Sequence, residues 1–265
     1  MNIFLHELQA YRKSTIIWLV SLIAVMVLFM SLFPAFAKDA GEFTKLLQGY
    51  PESLRKAIGL DLNNLFTIMG FYTYALTFIV LIGAIQAMNL GTSIVSKEAR
   101  EKTADFLLTK PVTRTTVITA KLMAAFVSLV ITNIVYGAAA FLMASQVKVA
   151  DFSLRIFFLL SLTVLFVQLI FLAIGIVISV MAKKIKSVLT VSLATVFSFY
   201  FIGMIGATTG DAKLRYLSPF KYFDPAEIMK HSGYETSYVI TGAVIIGIAV
   251  TASYFIYAKK DIHAV

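Results

Sequence analysis

The chain alternates long apolar runs with shorter charged segments. Six stretches contain no Asp, Glu, Lys, Arg or His, and each is 21 to 27 residues long. An α-helix rises about 1.5 Å per residue, so each stretch can cross a hydrocarbon layer of roughly 30 Å. The pattern predicts an all-α, polytopic membrane protein with six transmembrane helices. The predicted spans are residues 15–37, 67–90, 122–144, 156–182, 187–207 and 237–258.

Composition supports lipid as the solvent for these segments. Of the 265 residues, 59% are hydrophobic and only 14% are charged, against about 25% charged residues in an ordinary soluble protein. A soluble chain of this size could not bury so much apolar surface in one core. The longest segment between predicted spans, residues 91–121, is shorter than the roughly 50 residues of a small domain. We therefore expect residues 1–265 to form a single transmembrane domain.

The net charge of +9 first suggests a nucleic-acid partner, but the distribution of the charges argues against one. An even number of spans places both termini on the same side of the membrane. The segments on that side carry 13 basic and 5 acidic residues, whereas those on the opposite side carry 10 and 9. Basic residues accumulate on the cytoplasmic side of membrane proteins. We expect a multi-pass protein of the cell membrane with both termini in the cytoplasm and a basic face suited to anionic lipid headgroups.

The predicted spans lack the groups that membrane enzymes and proton-coupled carriers use. They contain no Asp, Glu, Lys, Arg or His, and the chain has no cysteine. The three histidines, His6, His231 and His263, lie outside the spans. We find neither a phosphate-binding loop of the GxxxxGK[ST] type nor a nucleophile elbow with a partnered histidine. These absences predict a protein that is not an enzyme and that needs no metal or cofactor.

The polar residues of the spans are amides and hydroxyls, and the fifth predicted span, residues 187–207, is rich in aromatic residues. Such residues either form hydrogen bonds between helices, which is the more common case, or line a path for a substrate. The sequence leaves both interpretations open. The candidates for a substrate path are Gln86, Asn89, Asn133, Gln168, Phe197 and Tyr200.

Residues 96–114 combine a charged helical face with an apolar cluster. Oppositely charged residues four positions apart favour a helix that continues out of the membrane. Thr103 is suited to cap a second short helix that ends at Pro111. Its apolar residues, 106–108, are typical of a helix that binds in the groove of a partner protein, and a helix lying in the membrane interface is the alternative.

This segment resembles the coupling-helix region of ABC-2 type transporter permeases. The matching residues are Glu98-x-Arg100-x-x-Thr103-x-Asp105-x-Leu107-Leu108-x-x-Pro111-Val112-x-Arg114, followed by Lys121. Residues 50–54, 217–225 and 257–262 also resemble segments of that family, so the likeness extends over the whole chain. One departure is Lys102, where many members carry Gly.

The resemblance implies the fold of the G-subfamily (type V) exporters. In this sequence, it implies an interfacial amphipathic helix over residues 1–14, a coupling helix within residues 96–114 and short outer helices between spans five and six. It also implies a second permease copy, as a homodimer or heterodimer, and a separate ATP-binding cassette ATPase that hydrolyses the ATP. The residues implied in coupling to the ATPase are Glu98, Arg100, Thr103, Asp105, Phe106, Leu107, Leu108 and Pro111.

The function implied is the permease subunit of an ATP-driven exporter. A path without charges and rich in Phe, Tyr and Met suits an apolar or amphipathic substrate, such as a peptide, an antibiotic or a lipid-like molecule. Bacterial exporters of peptide toxins and peptide antibiotics are similar proteins. Two alternatives remain open: a membrane immunity or sensing subunit that binds a peptide antibiotic, and a secondary carrier without an ATPase.

Overall fold

The computed structural model of the protein describes residues 3–58, 60, 62, 64–101, 113–148, 150–182 and 184–259. Every regular element within these ranges is helical. The helices long enough to span a membrane are α1 (Ile3–Lys38), α4 (Ile68–Glu101), α5 (Arg114–Val147), α6 (Leu154–Met181), α7 (Val188–Thr209) and α10 (Thr236–Lys259). The shorter helices are α2 (Ala40–Gln48), α3 (Glu52–Ala57), α8 (Ala212–Leu217), a 3₁₀ turn (Pro219–Lys221) and α9 (Pro225–His231).

The prediction of an all-α membrane protein with six long apolar helices is confirmed. Successive spans run in opposite directions, so one end of the bundle carries the chain termini and the other does not. We call them the terminal end and the distal end. The short helices α2, α3, α8 and α9 belong to the distal end because they lie between α1 and α4 or between α7 and α10.

Helices α4 and α6 form the centre of the bundle. In their most apolar 18-residue windows, 67% of α4 and 61% of α6 is buried, against 17% to 28% in the other four long helices. The backbones of α4 and α6 approach closely where Gly91 faces Gly175. A Cβ added at Gly91 would lie 2.4 Å from the carbonyl oxygen of Leu172. Glycine therefore permits a helix crossing that no larger residue fits.

Several helices extend beyond the predicted spans. Residues 3–38 form one uninterrupted helix, so no helix end separates the segment predicted to lie in the membrane interface from the first span. Glu7 and Tyr11 in that segment are buried. Helix α5 begins at Arg114, eight residues before the predicted start of its span, which places Lys121 inside the helix. Both helices are longer than the charge-free stretches within them, because a paired charge can continue a helix.

Local capping signals explain where the short distal helices begin. Asp224 caps α9 by accepting a hydrogen bond from the Ala226 backbone N–H at 2.9 Å, and Pro225 is the first helical residue. This start agrees with the pattern Asp-Pro in the sequence. Glu227, which the capping-box pattern directs back to Asp224, instead lies 3.0 Å from Nδ1 of His231.

Candidate functional site

A cavity of about 600 Å³ opens among the helices at the distal end. One wall comes from the first turns of α4, and the opposite wall comes from the second half of α7. The segment between α7 and α10 covers it. Its wall residues include Thr73, Leu76, Thr77 and Val80 of α4, Thr163 of α6, Tyr200, Gly203, Met204 and Ala207 of α7, and Asp211, Arg215, Phe220, Lys221, Phe223, Asp224 and Met229 of the covering segment.

The covering segment is held against α7 by local backbone features. Gly210 ends α7 in the left-handed region, with φ of 72°, which a glycine adopts without strain. Asp211 then caps α8 by accepting from the Lys213 N–H at 2.8 Å. Further along, the hydroxyl of Ser218 donates to the carbonyl of Phe199 at 2.7 Å. Gly203 leaves room for this contact, because a Cβ there would lie 2.7 Å from the Ser218 Oγ.

An ion pair joins the start of the covering segment to its end, next to α10. Both terminal nitrogens of Arg215 donate to the carboxylate of Glu235, one of them at 3.1 Å, and its Nε donates to the Lys221 carbonyl at 2.8 Å. The guanidinium also lies 4.0 Å from the centre of the Tyr238 ring. Burial lowers the pKa of Arg215, but the hydrogen bonds and charge of Glu235 outweigh it and leave that pKa raised. Arg215 is therefore charged and held in place, and it links α8 to the residues at the start of α10.

Away from the cavity, the amides of three helices form a buried hydrogen-bond network. Gln86 of α4 donates to Thr132 of α5 at 3.2 Å, and Gln168 of α6 donates to Gln86 at 3.2 Å. Asn133 of α5 donates to Gln168 at 2.5 Å. The side chains of Gln86 and Gln168 are fully buried. This network joins α4, α5 and α6 at the middle of the bundle.

A second polar cluster lies near the terminal end. The Lys121 ammonium is 3.0 Å from a Glu7 carboxylate oxygen and donates to the Ile94 carbonyl at 3.0 Å. Glu7 is 7% exposed and Lys121 is 1% exposed, so water screens this pair very little. The cluster ties α1 and α5 to the last turns of α4, immediately before the segment predicted to couple to an ATPase.

The structure divides the six predicted path residues between these sites. Among the described residues lining the cavity, Tyr200 is the single member of that set. Gln86, Asn133 and Gln168 meet in the amide network, and Asn89 is half-buried on α4. Phe197 is 36% exposed and stacks on Phe201. The role of these residues in a substrate path stays a prediction.

The predicted coupling residues fall largely outside the described part of the chain. Thr103, Asp105, Phe106, Leu107, Leu108 and Pro111 belong to residues 102–112, which the structure does not describe. Glu98 and Arg100 lie in the last turns of α4, and their side chains are likewise outside the description. Helix α5 begins just after this segment, with Thr113 as its cap.

Sequence reasoning did not assign a role to Arg215 or Lys221 of the cavity wall, and it did not pair Glu7 with Lys121. Arg215 and Glu235 are 20 positions apart, and Glu7 and Lys121 are 114 apart, so no local pattern relates the partners. One signal was present for Lys221. It lies in residues 217–225, the segment noted for its resemblance to other permeases.

Comparison with known proteins agrees with this architecture. The family model described as ABC-2 family transporter protein matches residues 1–262, which is nearly the whole chain. A comparison with curated proteins found no significant match. The structure has six long apolar helices, four of them packed around the central pair α4 and α6, which is consistent with the membrane subunit of such a transporter. The chain therefore belongs to the ABC-2 transporter family and is the multi-pass permease component of an ABC transporter.

Proposed function

We propose that the protein is the permease of an exporter that moves an apolar or amphipathic molecule out of the cell. The observation that carries this proposal is the cavity at the distal end. Its lining is mainly aliphatic, aromatic and methionine side chains with a few hydroxyl and charged groups. Sites for small organic ligands have this composition and volumes of about 300–1,000 Å³.

The position of the cavity supports export. If the termini are cytoplasmic, as the distribution of basic residues predicts, the cavity lies in the outer half of the bundle. The cavity is bounded by α4 and α7. Movement of one of these helices relative to the other would open or close the cavity, so the cavity suits a release site on the outer side.

The energy for this movement would come from an ATP-binding cassette ATPase bound at the terminal end. Residues 96–114 are the proposed contact, with Phe106, Leu107 and Leu108 as the buried anchors and Glu98, Arg100 and Asp105 at the rim. A second permease copy would complete the complex. Shifting the permease almost completely between two states requires the ATPase to favour one of them by about 5.5 kcal/mol.

The first experiment tests coupling. The double variant Phe106→Asp and Leu107→Asp should bind the ATPase weakly and lose transport while the permease still folds, because charges cannot enter an apolar groove. Co-purification of the ATPase and transport into inverted vesicles would be measured. Unchanged binding and transport would contradict the proposed role of this segment.

The second experiment tests the cavity. Tyr200→Leu should change the ATP hydrolysis that amphipathic compounds stimulate in the reconstituted complex, because Tyr200 lines the cavity. Phe201→Leu is the matched control, since Phe201 is 56% exposed on α7 and is not among the described lining residues. Equal effects of both variants would argue against the cavity as part of the path.

A further inference from the structure

The cavity lining includes four charged residues, and three of them have partners. Asp211 and Asp224 each accept a backbone N–H at the start of a short helix, at 2.8 and 2.9 Å. Arg215 is paired with Glu235. The fourth is Lys221, at the end of the 3₁₀ turn. Within the described part of the chain, its ammonium forms neither a hydrogen bond nor an ion pair.

The position of Lys221 follows from its backbone and its stem. Its carbonyl accepts from Arg215 at 2.8 Å and its N–H donates to the Ser218 carbonyl at 2.9 Å. A Cβ added at Gly203 of α7 would lie 3.4 Å from the Lys221 Cγ, so the stem packs against α7. The side chain is thus held at the cavity wall and not free on the surface.

The surroundings of Lys221 disfavour the charged form of its side chain when no anion contacts it. Burial lowers its pKa; the charge of Asp224 opposes this, and that of Arg215 adds to it. A cation that is partly removed from water and lacks a contacting anion gains most from an anionic ligand. Asp211 and Asp224 each accept a backbone N–H at a helix start, and within the described residues neither carboxylate forms an ion pair with the ammonium.

The opposite wall of the cavity is suited to an apolar chain. Thr73, Leu76, Thr77 and Val80 follow one face of α4 over roughly 10 Å at 1.5 Å per residue. Tyr200, Met204 and Phe220 face them from α7 and the covering segment. A charged group near Lys221 and a long apolar region alongside it define an amphipathic binding site.

We propose that the cavity binds an amphipathic organic anion, with the anionic group of the ligand at Lys221 and its apolar part between α4 and α7. The proposal rests on the export function above, because it takes the cavity to be the substrate site. It narrows the substrate from apolar or amphipathic molecules in general to those that carry a carboxylate or phosphate at one end.

The test measures binding to the permease–ATPase complex in nanodiscs of phosphatidylcholine. The probes are dansylaminoundecanoic acid, its methyl ester and the amine of the same chain length, and the readout is dansyl fluorescence. We expect the acid to bind about ten-fold more tightly than the ester, because the ester lacks the negative charge that strengthens the hydrogen bond from the ammonium. The amine should bind most weakly.

Variants then locate the effect. Lys221→Gln should lower the affinity for the acid about ten-fold and leave the ester unchanged, and Lys221→Arg should restore the preference. Lys230→Gln is the control, because Lys230 is exposed on the neighbouring helix α9 and this substitution removes the same charge. Equal affinities of wild-type protein for acid and ester, tighter binding of the amine, or equal losses in the Lys221→Gln and Lys230→Gln variants would overturn the proposal. The comparison of acid with ester needs no variant, so it stands even if Lys221→Gln fails to fold.

Failure of the proposed export function would look different. In that case the acid would bind preferentially through Lys221 in nanodiscs, but the same complex in sealed proteoliposomes would transport no probe in either direction on addition of ATP. Transport of acid and ester alike would instead support export and contradict the anion site. Adding phosphatidylglycerol to the nanodiscs identifies the source of the anion: displacement of the acid supports a membrane lipid as the ligand, and no displacement supports a separately supplied amphiphile.

Discussion

At the scale of single residues, Glu7 and Lys121 form a buried ion pair that is costly to break by removing one partner. Both are buried, and their atoms are 3.0 Å apart. A buried ion pair contributes little relative to an apolar pair of the same size, but removing one partner leaves an uncompensated charge. The pair therefore constrains where α1 and α5 meet more than it adds to stability.

Glu7→Gln should lower the free energy of unfolding by about 3–5 kcal/mol, because Lys121 then stays buried without its counter-charge. The measurement is thermal unfolding of the purified protein in detergent. Glu42→Gln is the control, because Glu42 is exposed on α2. The double variant Glu7→Leu and Lys121→Met should be more stable than Glu7→Gln, and a double variant that is less stable would contradict the argument.

At the scale of elements, the crossing of α4 and α6 depends on the absence of side chains. Gly91 and Gly175 let the two backbones touch, since a Cβ at Gly175 would lie 2.8 Å from the Met88 carbonyl oxygen. One turn further, Ser179 accepts hydrogen bonds from the N–H groups of Val95 and Ser96 at 3.0 and 3.2 Å. Backbone packing and these bonds hold the centre of the bundle together.

Gly91→Ala should separate α4 from α6 and destabilise the protein by about 1–3 kcal/mol, because the new methyl group would meet a backbone carbonyl that cannot move aside. The matched variant is Gly137→Ala on α5, where a Cβ would meet nothing within 4 Å. That variant should be neutral or stabilising by up to about 1 kcal/mol, since alanine favours a helix over glycine. Unfolding temperatures of the two variants that coincide would refute the prediction.

The amide network allows the two interpretations of the polar span residues to be separated. Gln168→Leu removes the hydrogen bonds to Gln86 and Asn133, so it should cost about 1–2 kcal/mol of stability. If the network only packs helices, the ratio of stimulated to basal ATP hydrolysis in the complex should not change. A changed response to different substrates at equal stability would show that Gln168 belongs to the path.

At the scale of the whole molecule, four of the six long helices have fewer than a third of the residues of their most apolar 18-residue window buried. Exposed large side chains on these helices include Ile17, Leu28, Ile134, Phe201, Ile248 and Phe255. Lipid satisfies such faces, and a second permease copy would cover part of them. The orientation of the bundle in the membrane decides which loops face the cytoplasm and which face the outside of the cell.

The absence of cysteine allows the orientation to be measured directly. Lys213→Cys on α8 and Lys186→Cys before α7 each place one thiol at an exposed position at opposite ends of the bundle. With cytoplasmic termini, a membrane-impermeant maleimide should label the thiol at 213 in intact cells and the thiol at 186 only after permeabilisation. The reverse pattern would show that the distal end faces the cytoplasm.

The number and type of the spans could be read from the sequence because the bilayer imposes one requirement on every span, a charge-free length of about 20 residues. The start of α9 was also predictable, since Asp224 and Pro225 act within a single turn. The start of α5 at Arg114 was not, because Lys121 in its first turns is paired with Glu7 of α1, far away in the chain.

The sequence by itself thus determined the membrane setting, the all-helical class and the family resemblance, all of which depend on local composition and short motifs. Only the tertiary structure decided that Tyr200 lines a cavity while Gln86, Asn133 and Gln168 meet in a network. The same holds for the pairing of Arg215 with Glu235, which leaves Lys221 as the cation at the cavity wall. These outcomes depend on which helices touch and at what height, and contacts between residues far apart in the chain leave no local pattern in it.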